Sequence, residues 1–212
     1  MPDGLTLRGP SGLRLLPGYY DAAAQRALLA EVLAVIAAAP LYRPSMPRSG
    51  KALSVRMTNC GPLGWVSDRA GYRYRPTHPE TGRPWPPIPQ SLLALWREVT
   101  GYGVDPEACL VNHYDAAARL GLHRDADEAD QGAPVLSVSL GDQALFRIGG
   151  PQRSDPTQSL TLCSGDVVLL AGEARHAFHG IDRIQPGTSR LLAGTPLEAG
   201  RLNLTLRRVT LP

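Results

Sequence analysis

Arg201-Leu202-Asn203-Leu204-Thr205-Leu206-Arg207 alternates polar and apolar residues without a break. Successive side chains of a strand point to opposite faces, so this run makes one basic, polar face and one leucine face. The leucine face must be buried. The polar face is either a solvated edge or the inner wall of a pocket. An inner wall with an arginine at each end suits a small dicarboxylate, each carboxylate accepting paired hydrogen bonds. Arg201 and Arg207 lie about 20 Å apart along an extended strand, and their long side chains can lean together to close that distance. Asn203 stands between them.

Upstream, short apolar runs recur at 108–114, 119–125, 134–140, 143–149, 159–163, 166–171 and 176–183, before the final run at 200–209. Gly141-Asp142, Gly149-Gly150-Pro151 and Ser164-Gly165 punctuate them. Eight short strands predict a jelly roll. Two helices precede it. One is capped by Asp21 and runs to about Ala39 before Pro40, and its apolar face is Leu28, Leu29, Val32, Leu33, Val35 and Ile36. The other starts near Gln90 or Ser91, repeats Leu92, Leu95, Trp96 and Val99, and stops at Gly101. Residues 1–17 read as an irregular or short-strand lead, and 41–88 as loops with short strands. The fold class is mainly β with flanking helices (α+β), the helices packed outside one sheet. It divides as 1–106, N-terminal helices and a covering segment, and 107–212, the jelly-roll core, in one structural domain.

His123-Arg124-Asp125 places two metal-ligand types on one face of a strand, with Arg124 turned away. Asp127 shares that face if the strand continues. A third ligand must come from another strand. His78 lies in a proline-rich loop, and His113 occupies the face opposite Asn112 and Tyr114. His176 and His179 remain, with Gly180 favouring His179 because glycine lets the backbone bend beside a crowded site. Two histidines and a carboxylate are the facial ligand set of non-haem Fe(II) oxygenases. Zinc hydrolases use similar donors, but their HExxH helix is absent.

Composition narrows the classes further. The chain has 212 residues, 43% of them hydrophobic and 19% charged, enough for a real core and unlike a disordered chain. Cys60, Cys109 and Cys163 form no CxxC pair, which argues against a disulfide framework or zinc site and for a reducing compartment. Met1 to Arg14 has no apolar signal-peptide core, and 27–39 is too short to span a bilayer, so a cytoplasmic, membrane-free protein is expected. Net charge is +3, yet residues 41–85 hold eight basic residues against Asp68 and Glu80. Tyr42, Trp65, Tyr72, Tyr74 and Trp85 lie among them. Cations interleaved with flat rings can contact phosphates and stack bases; a solvated loop with its rings packed inward has the same composition.

Taken together, these residues resemble the bacterial AlkB-type dioxygenases. The similarity runs from about residue 50 to 208. It is carried by Met57-Thr58-Asn59-Cys60-Gly61, Leu63-Gly64-Trp65, Gly71-Tyr72, Pro84-Trp85-Pro86 and Cys109 through Tyr114. His123, Asp125, Val138-Ser139-Leu140-Gly141, Gly165-Asp166-Val167-Val168, His179-Gly180 and Arg201 through Arg207 extend it. The resemblance implies a double-stranded β-helix under an N-terminal nucleotide-recognition lid, formed by roughly 41–85. It implies Fe(II), 2-oxoglutarate as cosubstrate, and O2. It selects His179 over His176 as the partner of His123 and Asp125. It assigns Arg201 to the distal carboxylate of 2-oxoglutarate and Arg207 to the carboxylate near iron, with Asn112, Tyr114 and Asn203 completing that pocket. Trp65, Tyr72 and Asp127 are placed around a flipped base and Arg153 near the nucleotide. The implied reaction is oxidative demethylation of 1-methyladenine and 3-methylcytosine in single- or double-stranded DNA, with RNA as a further class, by a monomer. Succinate, carbon dioxide and formaldehyde are released. The chain departs from the pattern at Leu169-Leu170, where relatives can present an aromatic, so a second stacking wall would be aliphatic. The rival expectations are an oxygenase acting on a protein or small molecule, and a jelly-roll binding module with an inactive metal site.

Overall fold

In a computed structural model, which describes residues 5–6 and 9–212, two sheets face each other and both helices pack outside the larger one. The helices form as the sequence predicts. Asp21 accepts hydrogen bonds from the Ala23 and Ala24 amides at 2.9 and 2.8 Å and so starts α1 (Ala22–Ala38). α2 (Gln90–Thr100) ends at Gly101, whose φ of 62° is left-handed and costs glycine little. Leu28, Leu29 and Val32 of α1 and Leu92, Leu95 and Trp96 of α2 are buried in one cluster with Leu202, Leu204 and Leu206.

The larger sheet has seven strands in the order β1 (Leu5–Thr6), β2 (Leu13–Leu16), β11 (Val167–Leu170), β8 (Val135–Gly141), β13 (Arg201–Arg207), β6 (Ala108–Tyr114) and β3 (Arg56–Cys60). The smaller sheet runs β10 (Gln158–Leu162), β9 (Gln143–Ile148), β12 (His179–Gln185), β7 (Leu120–His123). A separate hairpin pairs β4 (Gly64–Asp68) with β5 (Gly71–Arg75). β13 is central, bonded to β6 on one side and β8 on the other, so its two faces meet different surroundings. Its leucines, fully buried, face the helices; burying each such side chain stabilises by about 1.5–3 kcal/mol. Its polar residues face the space between the sheets.

Two expectations need correction. The strand expected at 119–125 ends at His123, because Asp125 is drawn inward by buried arginines rather than held by a ladder. The strand expected from residue 176 starts at His179, after a short 3-10 helix over Gly172–His176. The short strands expected in the lead and in 41–88 do form, and two of them, β2 and β3, join the larger sheet. Residues 1–4 and 7–8 of the lead lie outside the described residues.

Candidate active site

His123 and His179 are direct partners across β7 and β12. Asp125, two residues beyond β7, completes a group whose ligand atoms all lie within 4.8 Å of one another. His123 Nε2 is 3.7 Å from Asp125 Oδ1, and His179 Nε2 is 3.6 Å from Asp125 Oδ2. His176 ends the 3-10 helix and is not in the group. The Nδ1 of His123 lies 3.0 Å from the Gly121 carbonyl, and that of His179 lies 3.0 Å from the Ala177 carbonyl. Each Nδ1 therefore carries the proton and donates it, leaving Nε2 with a free lone pair for a metal. Burial, then the neighbouring His123, pulls His179 down to about 4, so its ring is neutral at physiological pH. Burial pushes Asp125 up, but Arg207, then His179 and His123, overcome that and hold it well below the usual carboxylate range.

Asp125 Oδ1 accepts from Arg207 Nη2 at 2.7 Å, while buried Oδ2 has no partner. A buried carboxylate oxygen is not normally left unsatisfied. Two imidazole Nε2 atoms beside such an oxygen fit a divalent cation, and this donor set suits iron.

Gly180 keeps the two histidine strands close. A Cβ there would stand 2.5 Å from the Leu120 carbonyl oxygen and 2.9 Å from that of Gly121, both backbone atoms that cannot rotate away. Gly180→Ala is expected to spread β7 from β12, displace His123, and weaken Fe(II) binding about 10-fold, checked by metal titration.

Register explains the neighbouring polar slot. Arg201 pairs with Tyr114 and Asn203 with Asn112. All four line a cavity of about 1290 Å3 that also reaches the metal ligands. Arg201 is fully buried and donates from Nη2 to Ser139 Oγ at 2.8 Å, but its Nε and Nη1 have no partner. Burial lowers it to about 10, still charged at neutral pH. Asn112 Oδ1 is likewise unpartnered. Arg207 is more committed: it donates to Asp125 and, at 2.8 Å, to Glu128, leaving only Nε open. The slot can therefore seat a carboxylate at Arg201 and an anionic group near the metal.

Sequence reasoning missed the residues behind this slot. Glu128 accepts from Arg207, from Arg175 Nη2 at 3.0 Å and from the Tyr74 hydroxyl at 2.5 Å. Arg175 also donates to the backbone carbonyls of Asp125 and Ala133, at 2.6 and 3.0 Å. Nothing in sequence periodicity marks them; a glutamate three residues past a ligand was the only available signal.

At the cavity mouth, the rings of Trp65 and Tyr72 on the β4–β5 hairpin stack with centroids 5.6 Å apart at 18°. Trp65 Nε1 donates to Asp127 Oδ2 at 2.7 Å. Arg153 reaches across to the Leu122 carbonyl at 2.7 Å. Leu170 lines the same cavity as an aliphatic wall. Of the eight basic residues in 41–85, only Arg43 and Lys51 line the cavity. Arg73 is paired with Asp68, and Arg56 is bonded to His113. The other cations at the mouth come from the core: Arg119, Arg124, Arg153 and Arg183.

A jelly roll that brings a two-histidine, one-carboxylate group beside a buried arginine slot for a dicarboxylate defines an iron oxygenase that consumes a 2-oxo diacid. The chain belongs to the 2OG-Fe(II) oxygenase superfamily, whose family model matches residues 12–207, and within it to the bacterial AlkB-type dioxygenases. It is 56% identical to the alpha-ketoglutarate-dependent dioxygenase AlkB homolog of Caulobacter vibrioides, over 93% of this chain and 87% of that one. It is 42% identical to alpha-ketoglutarate-dependent dioxygenase AlkB of Escherichia coli, over 89% and 86%. The solved structure of OsALKBH1 superposes with a TM-score of 0.84 at 30% identity, covering 97% of this chain and all of that one. The expected fold class, Fe(II) and 2-oxoglutarate are thereby borne out.

Proposed function

We propose that this enzyme removes N-alkyl groups from nucleic-acid bases. The substrates are 1-methyladenine and 3-methylcytosine in single- or double-stranded DNA, with RNA as a second class. The observation that carries the reading is the flat Trp65–Tyr72 pair with the Asp127 carboxylate beside it, at the mouth of the cavity that holds the metal ligands. These methylated bases carry a ring cation at neutral pH, which an indole face and a carboxylate both attract. A base reaches such a pocket only from a single strand or after extrusion from a duplex. Family membership supports the same reading.

In this reading His123, Asp125 and His179 hold Fe(II). Bound iron with 2-oxoglutarate and O2 supplies the oxidation that hydroxylates the N-methyl carbon, which then leaves as formaldehyde. The protein's own part is placement. Arg201 fixes the distal carboxylate of 2-oxoglutarate through its two open N–H groups, with Asn112, Tyr114 and Asn203 along the chain of the cosubstrate. Arg207 fixes one oxygen of Asp125 and offers Nε to the carboxylate nearer the metal. Trp65 and Tyr72 stack the base. Asp127 Oδ2 already receives the Trp65 N–H, so Oδ1 is the oxygen that accepts from the exocyclic amine of the base. Arg153 contacts the nucleotide. The β4–β5 hairpin and its flanking loops are the lid of a monomer that acts in the cytoplasm; no helix of the described residues is long and apolar enough to cross a membrane.

A panel of oligonucleotides with different methylated bases, incubated with Fe(II) and 2-oxoglutarate and read by mass, tests the substrate class. Loss of one CH2 equivalent per methylated base, with formaldehyde release, is expected for the 1-methyladenine and 3-methylcytosine members. Succinate formation with every oligonucleotide unchanged would overturn it. Arg201→Lys keeps the charge but not the forked donors, and is expected to raise the KM for 2-oxoglutarate roughly 30-fold, about 2 kcal/mol, in steady-state assays.

A further inference from the structure

The residue after His123 and the residue before His179 also meet. The Arg124 guanidinium carbon lies 6.0 Å from the centroid of the Phe178 ring, and that of Arg153 lies 5.9 Å from the same ring. Phe178 is fixed on its own backbone: its amide donates to Gly150 O and its carbonyl accepts from the Gly149 amide, both at 2.9 Å. The loop carrying Arg153 is braced by Asp155, which accepts from the Gln152 amide at 2.8 Å. Arg153 then spends one donor on Leu122 O. Arg124 makes no hydrogen bond or ion pair among the described residues, and neither arginine has an acidic partner among them. The nearest acid in sequence to Arg124 on the exposed side, Asp127, is engaged by Trp65.

Two exposed guanidiniums are thus gathered over one ring without a counter-charge, at the mouth of the catalytic cavity. Like charges held together repel, and a cation over an exposed aromatic face is only weakly stabilised. The arrangement is completed by an anion rich in acceptor oxygens. A phosphodiester supplies that, and arginine forks match it. Phe178 lies beneath the two arms and does not itself line the cavity. Because it precedes the metal ligand His179 on the chain, it sets the arms at a fixed offset from the metal.

We propose that Phe178 is a positioning platform that holds Arg124 and Arg153 as a two-armed clamp on the phosphates flanking the base that enters the site. The inference rests on the nucleic-acid reading above and adds Arg124 and Phe178 to it. The test measures binding of a methylated single-stranded oligonucleotide by fluorescence anisotropy across a salt series. Each phosphate contact contributes about 0.7 to the slope of log affinity against log salt. R124Q and R153Q are each expected to lower the slope by about that amount and to weaken binding several-fold at low salt. F178L is expected to weaken binding about threefold, whereas F178Y, which keeps the ring, matches the wild type. In the R124Q/R153Q background F178L is expected to change nothing further, since there are no arms left to position.

Equal weakening by F178L in both backgrounds would show a merely structural role and overturn the clamp. So would wild-type salt slopes in R124Q and R153Q, which decide the matter even if F178L does not fold. A wild-type protein that binds no oligonucleotide at low salt sinks the nucleic-acid reading and the clamp together. Wild-type binding with unaltered variants sinks the clamp alone.

Discussion

Asp125→Asn is expected to lose Fe(II) binding and turnover by more than about 100-fold while keeping most of its fold. Losing a group that merely supports a metal ligand costs 10–100-fold in metal affinity, so losing a ligand's charge costs more. The asparagine keeps one carbonyl oxygen, which still accepts from Arg207 Nη2 where Asp125 Oδ1 now does at 2.7 Å. What disappears is the anionic character of the unpartnered Oδ2 that stands 3.6 Å from His179 Nε2. Asp125→Ala removes both roles and leaves Arg207 without one of its two acids. A buried charge stripped of a partner costs about 3–5 kcal/mol. The pair of variants thus separates the two tasks. Metal titration should show both without iron, and thermal unfolding should show Ala well below Asn. Stoichiometric iron with near-normal turnover in the Asn variant would remove Asp125 from the metal centre and the proposed site with it.

The parts of this molecule that the sequence made legible are those set by short-range pattern. Alternation in 201–207 told which residues are buried and which face the cavity, and Leu202, Leu204 and Leu206 are fully buried. The Asp21 cap and the Gly101 stop are local chemistry and fall where expected. The His-x-Asp spacing located two of the three grouped residues, although not for the reason given. Alternation along a strand does not bring Asp125 to His123, because β7 has already ended. Arg207 and Arg175, from remote parts of the chain, hold it in place. That is a tertiary effect, and no window of neighbouring residues contains it. The cationic mouth follows the same rule. The basic density of 41–85 pointed to a phosphate-binding surface, yet pairing with local acids and histidine occupies Arg73 and Arg56. Arg119, Arg124, Arg153 and Arg183, scattered singly in sequence, are brought to the cavity mouth by strand pairing. β2 and β3 were hard to read because they are short, and their place in the larger sheet depends on β11 and β6.

Glu128 is where stability and site geometry meet, and Glu128→Gln is expected to lower the unfolding free energy by about 3–5 kcal/mol. Its side chain is fully buried between Arg175 and Arg207. Neutralising it leaves Arg175 without an acid and Arg207 with Asp125 alone, and neither guanidinium can be deprotonated near neutral pH. For a chain of this length that corresponds to a fall in Tm of roughly 10 °C or more. Burial pushes the Glu128 carboxyl up, but Arg207 and then the Tyr74 hydroxyl and Arg175 pull it below its ordinary value. The sign of the pH effect follows. A carboxyl whose pKa is lower when folded contributes stability above its unfolded pKa and loses it as pH falls through the folded one. The Tm gap between wild type and Glu128→Gln is therefore expected to be full at pH 7 and to shrink below about pH 4.5, the ordinary glutamate range. A gap that stayed constant into acid would show that the ion cluster is not its source. Replacing Arg175 by Met in the Glu128→Gln background separates charge from packing. If the buried cation is what destabilises the single variant, the second change costs far less there than in wild type, a coupling that a double-mutant cycle reads directly. Because Arg207 also grips Asp125, the same single variant is expected to weaken Fe(II) binding, whereas Tyr74→Phe, which removes two hydrogen bonds and no charge, leaves both ion pairs of Glu128 in place.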